Sequence, residues 1–477
     1  MKRFIVALLA VAMAAGFALS ASAADVKFGG SYYVMGATAN DWQLSKNGNG
    51  SADDRTTASF FAQRLRVGTQ FKVAEGLTLT TQFDALEGRW GQFGRYQNEE
   101  MSRGTAGGWN GADGANDSKN ISFDRAYVDF AIPYGKIRVG RGPTSNWGTS
   151  FANQDADADE IVLTGYFGNF TAEFKIEKAY ESVGDGVTWG TRHSQADGDN
   201  DRYHISGVYK FTGGSTGLKI FYNRNAQTTY AAPSAAGDRG YKREYWAIQP
   251  YVQATLGPVF VEAELNYNTG RAYDYEDNGV MGSDRNLKGM NAYLHAKVDA
   301  GPAYFGALYA YVSGQDPKSK TFNSGSDGGK AWNQNNLILW GYYSNKWAGM
   351  LGGGNGALYG QTGYDYIAMT NAHELKVYAG YNPTSKWNIQ GSVAYAVADK
   401  TCPSNVITTA ANRATYDYVD HKYGTEADLT ASYKIFDNLT YTLGFGYLWA
   451  GDYFKGTNKN ANVDDTYLLL NKLDLTF

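Results

Sequence analysis

Between Tyr423 and Trp449 the chain changes character at almost every residue. In "YGTEADLTASYKIF", Tyr423, Thr425, Ala427, Leu429, Ala431, Tyr433 and Ile435 fall on one face, and Gly424, Glu426, Asp428, Thr430, Ser432 and Lys434 on the other. After Asp437-Asn438, "LTYTLGFGYLW" sets Leu439, Tyr441, Leu443, Phe445, Tyr447 and Trp449 against Thr440, Thr442, Gly444 and Gly446. A period of two is the strand period, because successive side chains point to opposite faces. Two such runs joined by a two-residue turn make a hairpin. A slip of one residue would carry the apolar set to the wrong face, so the register is strongly specified.

The same unit recurs along the chain, with eight tiny turns: Glu75-Gly76, Pro133-Tyr134-Gly135, Gly168-Asn169, Gly213-Gly214-Ser215, Gly257-Pro258, Gly301-Pro302, Asn382-Pro383-Thr384 and Asp437-Asn438. Long polar stretches separate the hairpins, near 39–57, 88–119, 142–158, 181–201, 226–242, 271–286, 315–369, 399–420 and 451–462. With a first strand near 25–38 and a last near 463–477, the count is about 18, even, with short turns on one side and long loops on the other. The stretch 315–369 is over-long for a plain loop, and its "NLILWGYY" is compatible with an extra strand or a short helix over the mouth, so 16 or 20 strands stay open.

A soluble sandwich would bury these apolar faces against each other. Strands of roughly 9–11 residues with aromatics at their ends fit a closed membrane barrel better. Tyr441, Tyr447, Trp449, Trp387, Tyr395, Trp246 and Tyr433 would form two interface girdles, and closure leaves no strand edge unpaired in lipid. With 58 Gly, 37 Tyr and only 9 Pro the composition suits long strands and tight turns.

The two ends point the same way. Lys2 and Arg3, the apolar "FIVALLAVAMAAGFAL" and Ala21-Ser22-Ala23 have the form of a secretory signal peptide over residues 1–23, rather than of an uncleaved anchor. Cleavage there leaves one barrel domain, 24–477, and takes the net charge from −4 to −6, since Lys2 and Arg3 go and no acid does. The last strand places Phe477, Leu475, Leu473 and Tyr467 on one face. The signal sequence, the alternating strands and the terminal Phe477 together resemble Gram-negative outer-membrane proteins, and large general-diffusion porins in particular. The resemblance implies insertion among outer-membrane lipid and lipopolysaccharide, recognition of the last strand by the barrel assembly machinery, passage of small polar solutes, and a homotrimer.

Alternation also assigns the lumen. Arg64, Arg66 and Lys72 face inward on the second strand, Arg125, Tyr127 and Asp129 on the fourth, and Lys136 and Arg138 on the fifth. An Arg or Lys on the lipid side near the midplane would cost about 2–4 kcal/mol. The third long loop carries Asp155, Asp157, Asp159 and Glu160. By its resemblance to general-diffusion porins it is expected to fold into the lumen, opposite the cations. The competing reading is a set of ordinary solvated loop acids. Asp197, Asp199 and Asp201 have D-x-D-x-D spacing, a weak calcium pattern that lacks the glycine and later glutamate of an EF-hand.

Catalytic signatures are missing from the sequence: the histidines are scattered, and neither H-E-x-x-H, G-x-S-x-G nor a Walker A motif occurs. The single cysteine, Cys402, excludes an internal disulfide framework. No cofactor is implied, and the acidic chain carries no nucleic-acid-binding signature. The leading expectation is a passive, water-filled porin. One rival is a channel for a sugar or polysaccharide, with Tyr33, Tyr127, Tyr251, Tyr293, Tyr309 and Tyr378 as lumen aromatics. Another is a barrel sheathing a partner or serving a structural role.

Overall fold

In the computed structural model the chain forms one 18-stranded antiparallel sheet closed on itself. The structure describes residues 25–40, 58–90, 121–144, 146–151, 156–181, 199–226, 241–275, 284–316, 336–341, 369–401 and 418–477, with Leu44, Ser319 and 321–323. The signal segment 1–23, Asp155, Asp197 and Cys402 lie outside the described residues.

In chain order the strands are β1 (Asp25–Ala39), β2 (Ala58–Ala74), β3 (Leu77–Arg89), β4 (Ile121–Ile132), β5 (Gly135–Pro143) and β6 (Asp157–Phe167). There follow β7 (Phe170–Tyr180), β8 (Asn200–Phe211), β9 (Gly214–Asn225), β10 (Tyr241–Leu256), β11 (Val259–Tyr275) and β12 (Arg285–Ala300). The last six are β13 (Ala303–Val312), β14 (Ala372–Tyr381), β15 (Trp387–Ala398), β16 (Lys422–Phe436), β17 (Leu439–Ala450) and β18 (Thr466–Thr476). The strands run from 9 residues in β5 to 17 in β2 and β11, and the longer ones exceed the roughly 9–11 residues that the hydrocarbon layer alone requires. The excess lets the strands continue past the bilayer, on the side of the long loops.

The sheet closes where β18 meets β1, from Ser31 opposite Thr476 to Ala39 opposite Leu468. Gly30 and Phe477 exchange both backbone hydrogen bonds, at 2.8 and 3.1 Å. The Phe477 ring lies over Gly30, where an added Cβ would sit 2.3 Å from the Arg66 carbonyl oxygen and 2.7 Å from Phe477 Cζ, so only glycine fits there.

Leu163, Phe174, Ile205, Leu294, Leu375, Val377, Leu429 and Leu443 are exposed on the outside, while their sequence neighbours Val162, Lys175, His204, Tyr293, Glu374 and Asp428 are buried inside. That is the inverse of a soluble protein, and it needs a lipid solvent around it. Tyr309 belongs to the outer set, which corrects its expected place in the lumen: it is 39% exposed between the buried Leu308 and Ala310, and its hydroxyl meets His373.

Candidate functional site

The inward cations of β2–β5 form a ladder tied to acids of the same wall. Arg66 grips Asp84 with two bonds of 2.6 and 2.7 Å and reaches Asp124 at 2.9 Å. Arg64 lies 3.6 Å from Asp84 and stacks over the Tyr33 ring at 5.2 Å. Arg138 holds Asp129 with bonds of 2.9 and 3.1 Å and covers the Tyr127 ring at 4.0 Å. Lys136 also meets Asp129, at 3.3 Å. Lys72 sits near the short turns, beside a small cavity shared with Asp25, Lys27 and Gln70. Bidentate arginine–carboxylate pairs fix both partners, so this wall presents oriented charge rather than mobile charge.

The acids expected on the third loop are placed differently. Asp157, Asp159 and Glu160 all lie within β6, beside the cations and not across the lumen from them. Asp157 pairs with Arg125 at 2.5 Å. Glu160 is 4% exposed and lies 3.7 Å from Arg138 and 3.1 Å from Lys175. Asp159 is exposed on the outer face with Ile161 and Leu163, 3.7 Å from Arg141, and so does not face the lumen. The physical reason is that β6 continues beyond its apolar part, where polar residues keep the ladder pairing with Arg141, Gly142 and Pro143 of β5. Asp199 and Asp201 do come together, but around an ammonium: Lys178 Nζ is 2.6 and 2.8 Å from them.

The described residues 146–151 of the third loop nevertheless lie inside the barrel, with Trp147 and Phe151 in contact with its wall. Thr144 bonds the buried Glu177 on β7, which also takes Arg202 at 2.6 Å. From there the chain crosses to β10–β12. Trp147 Nε1 donates to the Gln249 carbonyl at 2.9 Å, and its ring meets Tyr251 edge-on. The Thr149 backbone N–H and hydroxyl both donate to Glu264 Oε2 at 2.8 Å. Phe151 stacks on Tyr293 with ring centroids 5.2 Å apart. Gly148 makes the crossing feasible: its φ is +61°, and a Cβ there would come 2.5 Å from Glu264 Oε2.

A second insertion comes from the stretch 315–369. Among the described residues, 336–341 form neither the extra strand nor the helix left open above, but a turn packed inside the barrel. The N–H groups of Leu337, Ile338 and Leu339 converge on Glu426 at 3.0, 2.8 and 2.7 Å. Asn336 bridges Glu374 and Lys376 at 2.8 and 3.0 Å. Ile338, Leu339 and Trp340 are 0%, 1% and 5% exposed, in an apolar cluster with Met35, Ala310, Ala372, Ala396, Leu448 and Tyr453. Gly444 and Gly446 face this turn, and a Cβ at Gly446 would lie 3.1 Å from Leu337 Cβ. Sequence reasoning missed Trp147, Thr149, Glu264, Ile338 and Glu426. Inward-facing alanines at 310, 372, 394 and 396, where a water-filled lumen calls for polar residues, were the available signal.

The two insertions divide the interior. Along β13–β18 and β1 the long-loop half is filled with apolar side chains. Along β2–β9 the wall stays ionic. Below the insertions, toward the short turns, a cavity of about 470 Å³ opens between β12 and β15.

Residues 7–327 match the family model of the Gram-negative porins. Solved outer-membrane porins are similar to the chain at low identity. The anion-selective porin of Comamonas acidovorans is 12% identical, with 95% of this chain and 100% of that one covered and a TM-score of 0.42. The BenF-like porin of Pseudomonas fluorescens Pf-5 is 11% identical, covering 94% and 99%, with a TM-score of 0.46. The outer membrane protein opdK of Pseudomonas aeruginosa is 9% identical, covering 94% and 99%, also at 0.46. No curated protein sequence matches the chain. With a family model spanning most of its length and a closed barrel whose apolar side faces outward, the chain belongs to the Gram-negative porins and is an outer-membrane channel for the diffusion of small solutes.

Proposed function

We propose that solutes cross on the β2–β9 side of the barrel, through an aperture bounded by the paired charges of that wall and by the third loop. The observation that carries this reading is the contrast between the two sides: Arg64, Arg66, Arg125 and Arg138, with their carboxylate partners, face inward on one, and Ile338, Leu339 and Trp340 fill the other. Fixed charges in a narrow, partly low-dielectric opening order water, favour small polar solutes and exclude apolar ones. In this reading Asp157 and Glu160 tune the arginines from their own wall. Phe477, Leu475, Leu473 and Tyr467 form the strand that the assembly machinery reads. Residues 1–23 are removed, and the outer face meets lipopolysaccharide and copies of the same chain in a trimer. The barrel carries out no catalysis. Reversal potentials of the reconstituted protein under a salt gradient test the pathway. Neutralising the four arginines should shift selectivity toward cations, and an unchanged reversal potential would remove them from the pathway.

A further inference from the structure

The cavity between β12 and β15 has the chemistry of a binding site. Tyr304 and Tyr378 form its back wall. Each is the cross-strand partner of a glycine, Tyr378 of Gly306 and Tyr304 of Gly380. Each ring folds flat over that glycine: a Cβ at Gly306 would fall 2.2 Å from Tyr378 Cζ, and one at Gly380 1.9 Å from Tyr304 Cζ. The two rings stand 6.2 Å apart at 64° and make an aromatic corner.

Their hydroxyls are already engaged. Tyr378 OH is bonded to His295 Nε2 at 2.7 Å. Tyr304 OH donates to Gln390 at 3.0 Å and accepts from Asn388 Nδ2 at 2.8 Å. What they offer a ligand is therefore ring face, chiefly that of Tyr378, because the Lys297 ammonium already lies 4.9 Å from the centroid of the Tyr304 ring. Around the corner stand Lys297, Asp299, Asn382 and Asn388.

The electrostatics narrow the ligand further. Lys297 is neutralised by Asp299 at 2.8 Å, and Lys376 turns its ammonium to Asn336 Oδ1 at 3.0 Å. An anion would find no uncommitted cation here, and an apolar ring would take the Lys297–Asp299 ion pair out of water without replacing its hydrogen bonds. A sugar ring matches both demands, with a C–H face for Tyr378 and hydroxyls for Asp299 and for the lone pairs left on Asn382 and Asn388, which bond each other at 2.9 Å. The volume of about 470 Å³ is in the usual range for small-ligand sites.

We infer that this corner, on the short-turn side of the inserted loops, is a binding site for neutral pyranose sugars passing through the channel. Phe151 stacked on Tyr293 and Asn336 bonded to Lys376 link its upper edge to the two inserted loops. The inference builds on the channel reading, but its test does not depend on conduction.

Isothermal titration of the purified, detergent-folded protein with maltose is the direct measurement, with sorbitol, benzoate and inorganic phosphate as comparators. Maltose should bind, and the comparators should bind more weakly. Tyr378→Ala should weaken maltose about tenfold, and Tyr304→Ala, whose ring lies under the Lys297 ammonium, by less, both keeping the heat-modifiable gel mobility of a folded barrel. Tyr309→Ala, on the lipid side, should leave the affinity unchanged. Absence of maltose binding, binding indifferent to both inner tyrosines, or tighter binding of benzoate or phosphate would overturn the inference. A protein that binds maltose yet conducts no ions would refute the channel pathway and leave the site standing.

Discussion

Glu426 is the residue whose replacement most sharply separates a designed insertion from an incidental one. Ordering the six residues 336–341 costs about 6–12 kcal/mol of backbone entropy. Burying Ile338, Leu339 and Trp340 returns about 1.5–3 kcal/mol each, or about 4.5–9 in total. These two amounts nearly cancel, so the three N–H bonds to Glu426, at about 1 kcal/mol apiece, hold the balance. Glu426→Ala removes about 3 kcal/mol and should move the docking equilibrium about 100-fold toward release. Glu426→Gln should lie between, because one oxygen remains to accept from part of the turn. Single-channel recording should show larger or flickering conductance in the order alanine, glutamine, wild type. A Leu339→Cys probe in a Cys402→Ser background should label with a polar maleimide faster once Glu426 is replaced. If conductance and labelling are both unchanged in Glu426→Ala, packing alone holds the turn and the reasoning fails.

Other substitutions test other parts of the account. Replacing Arg64, Arg66, Arg125 and Arg138 by Gln should shift the reversal potential toward cation preference, and the shift should shrink in 1 M salt, where the Debye length is about 3 Å. Gly148→Ala combines a φ of +61° with a contact of 2.5 Å to Glu264, so it should dislodge the third loop and raise conductance; wild-type currents would show that the crossing tolerates a side chain. Leu375→Arg puts a charge on the lipid face and should lower barrel stability by about 2–4 kcal/mol in urea titrations in lipid vesicles. Deleting Phe477 removes the two backbone bonds to Gly30 and should reduce the heat-modifiable, membrane-inserted fraction in cells.

The barrel was legible because its determinants are local. Each strand states its own two faces by alternation, as Leu429 against Asp428 does in β16, and each of the eight turns is marked by glycine, proline or asparagine. Lipid outside and polar groups inside forbid a register slip, so a periodic reading suffices. The interior was less legible because its contacts are far apart in sequence. Thr149 meets Glu264 across 115 residues, and Ile338 meets Glu426 across 88. Nothing near "NLILW" says that its three N–H groups end on a carboxylate of β16. The acids of "DADADE" suggested a loop because they lack an apolar face. Asp159 in fact continues the outer row of Ile161 and Leu163, at a level where charge is tolerated. Polar strand extensions and loops look alike in sequence, and only their pairing separates them.

The central claim is that a folded barrel with two inserted loops still leaves an open aqueous path along its ionic wall. The most direct test is single-channel recording of the purified, heat-modifiable protein in a planar bilayer. The account predicts stable, ohmic open steps whose conductance rises with salt concentration. Folded protein that inserts into the bilayer and yields no steps at any voltage would contradict it.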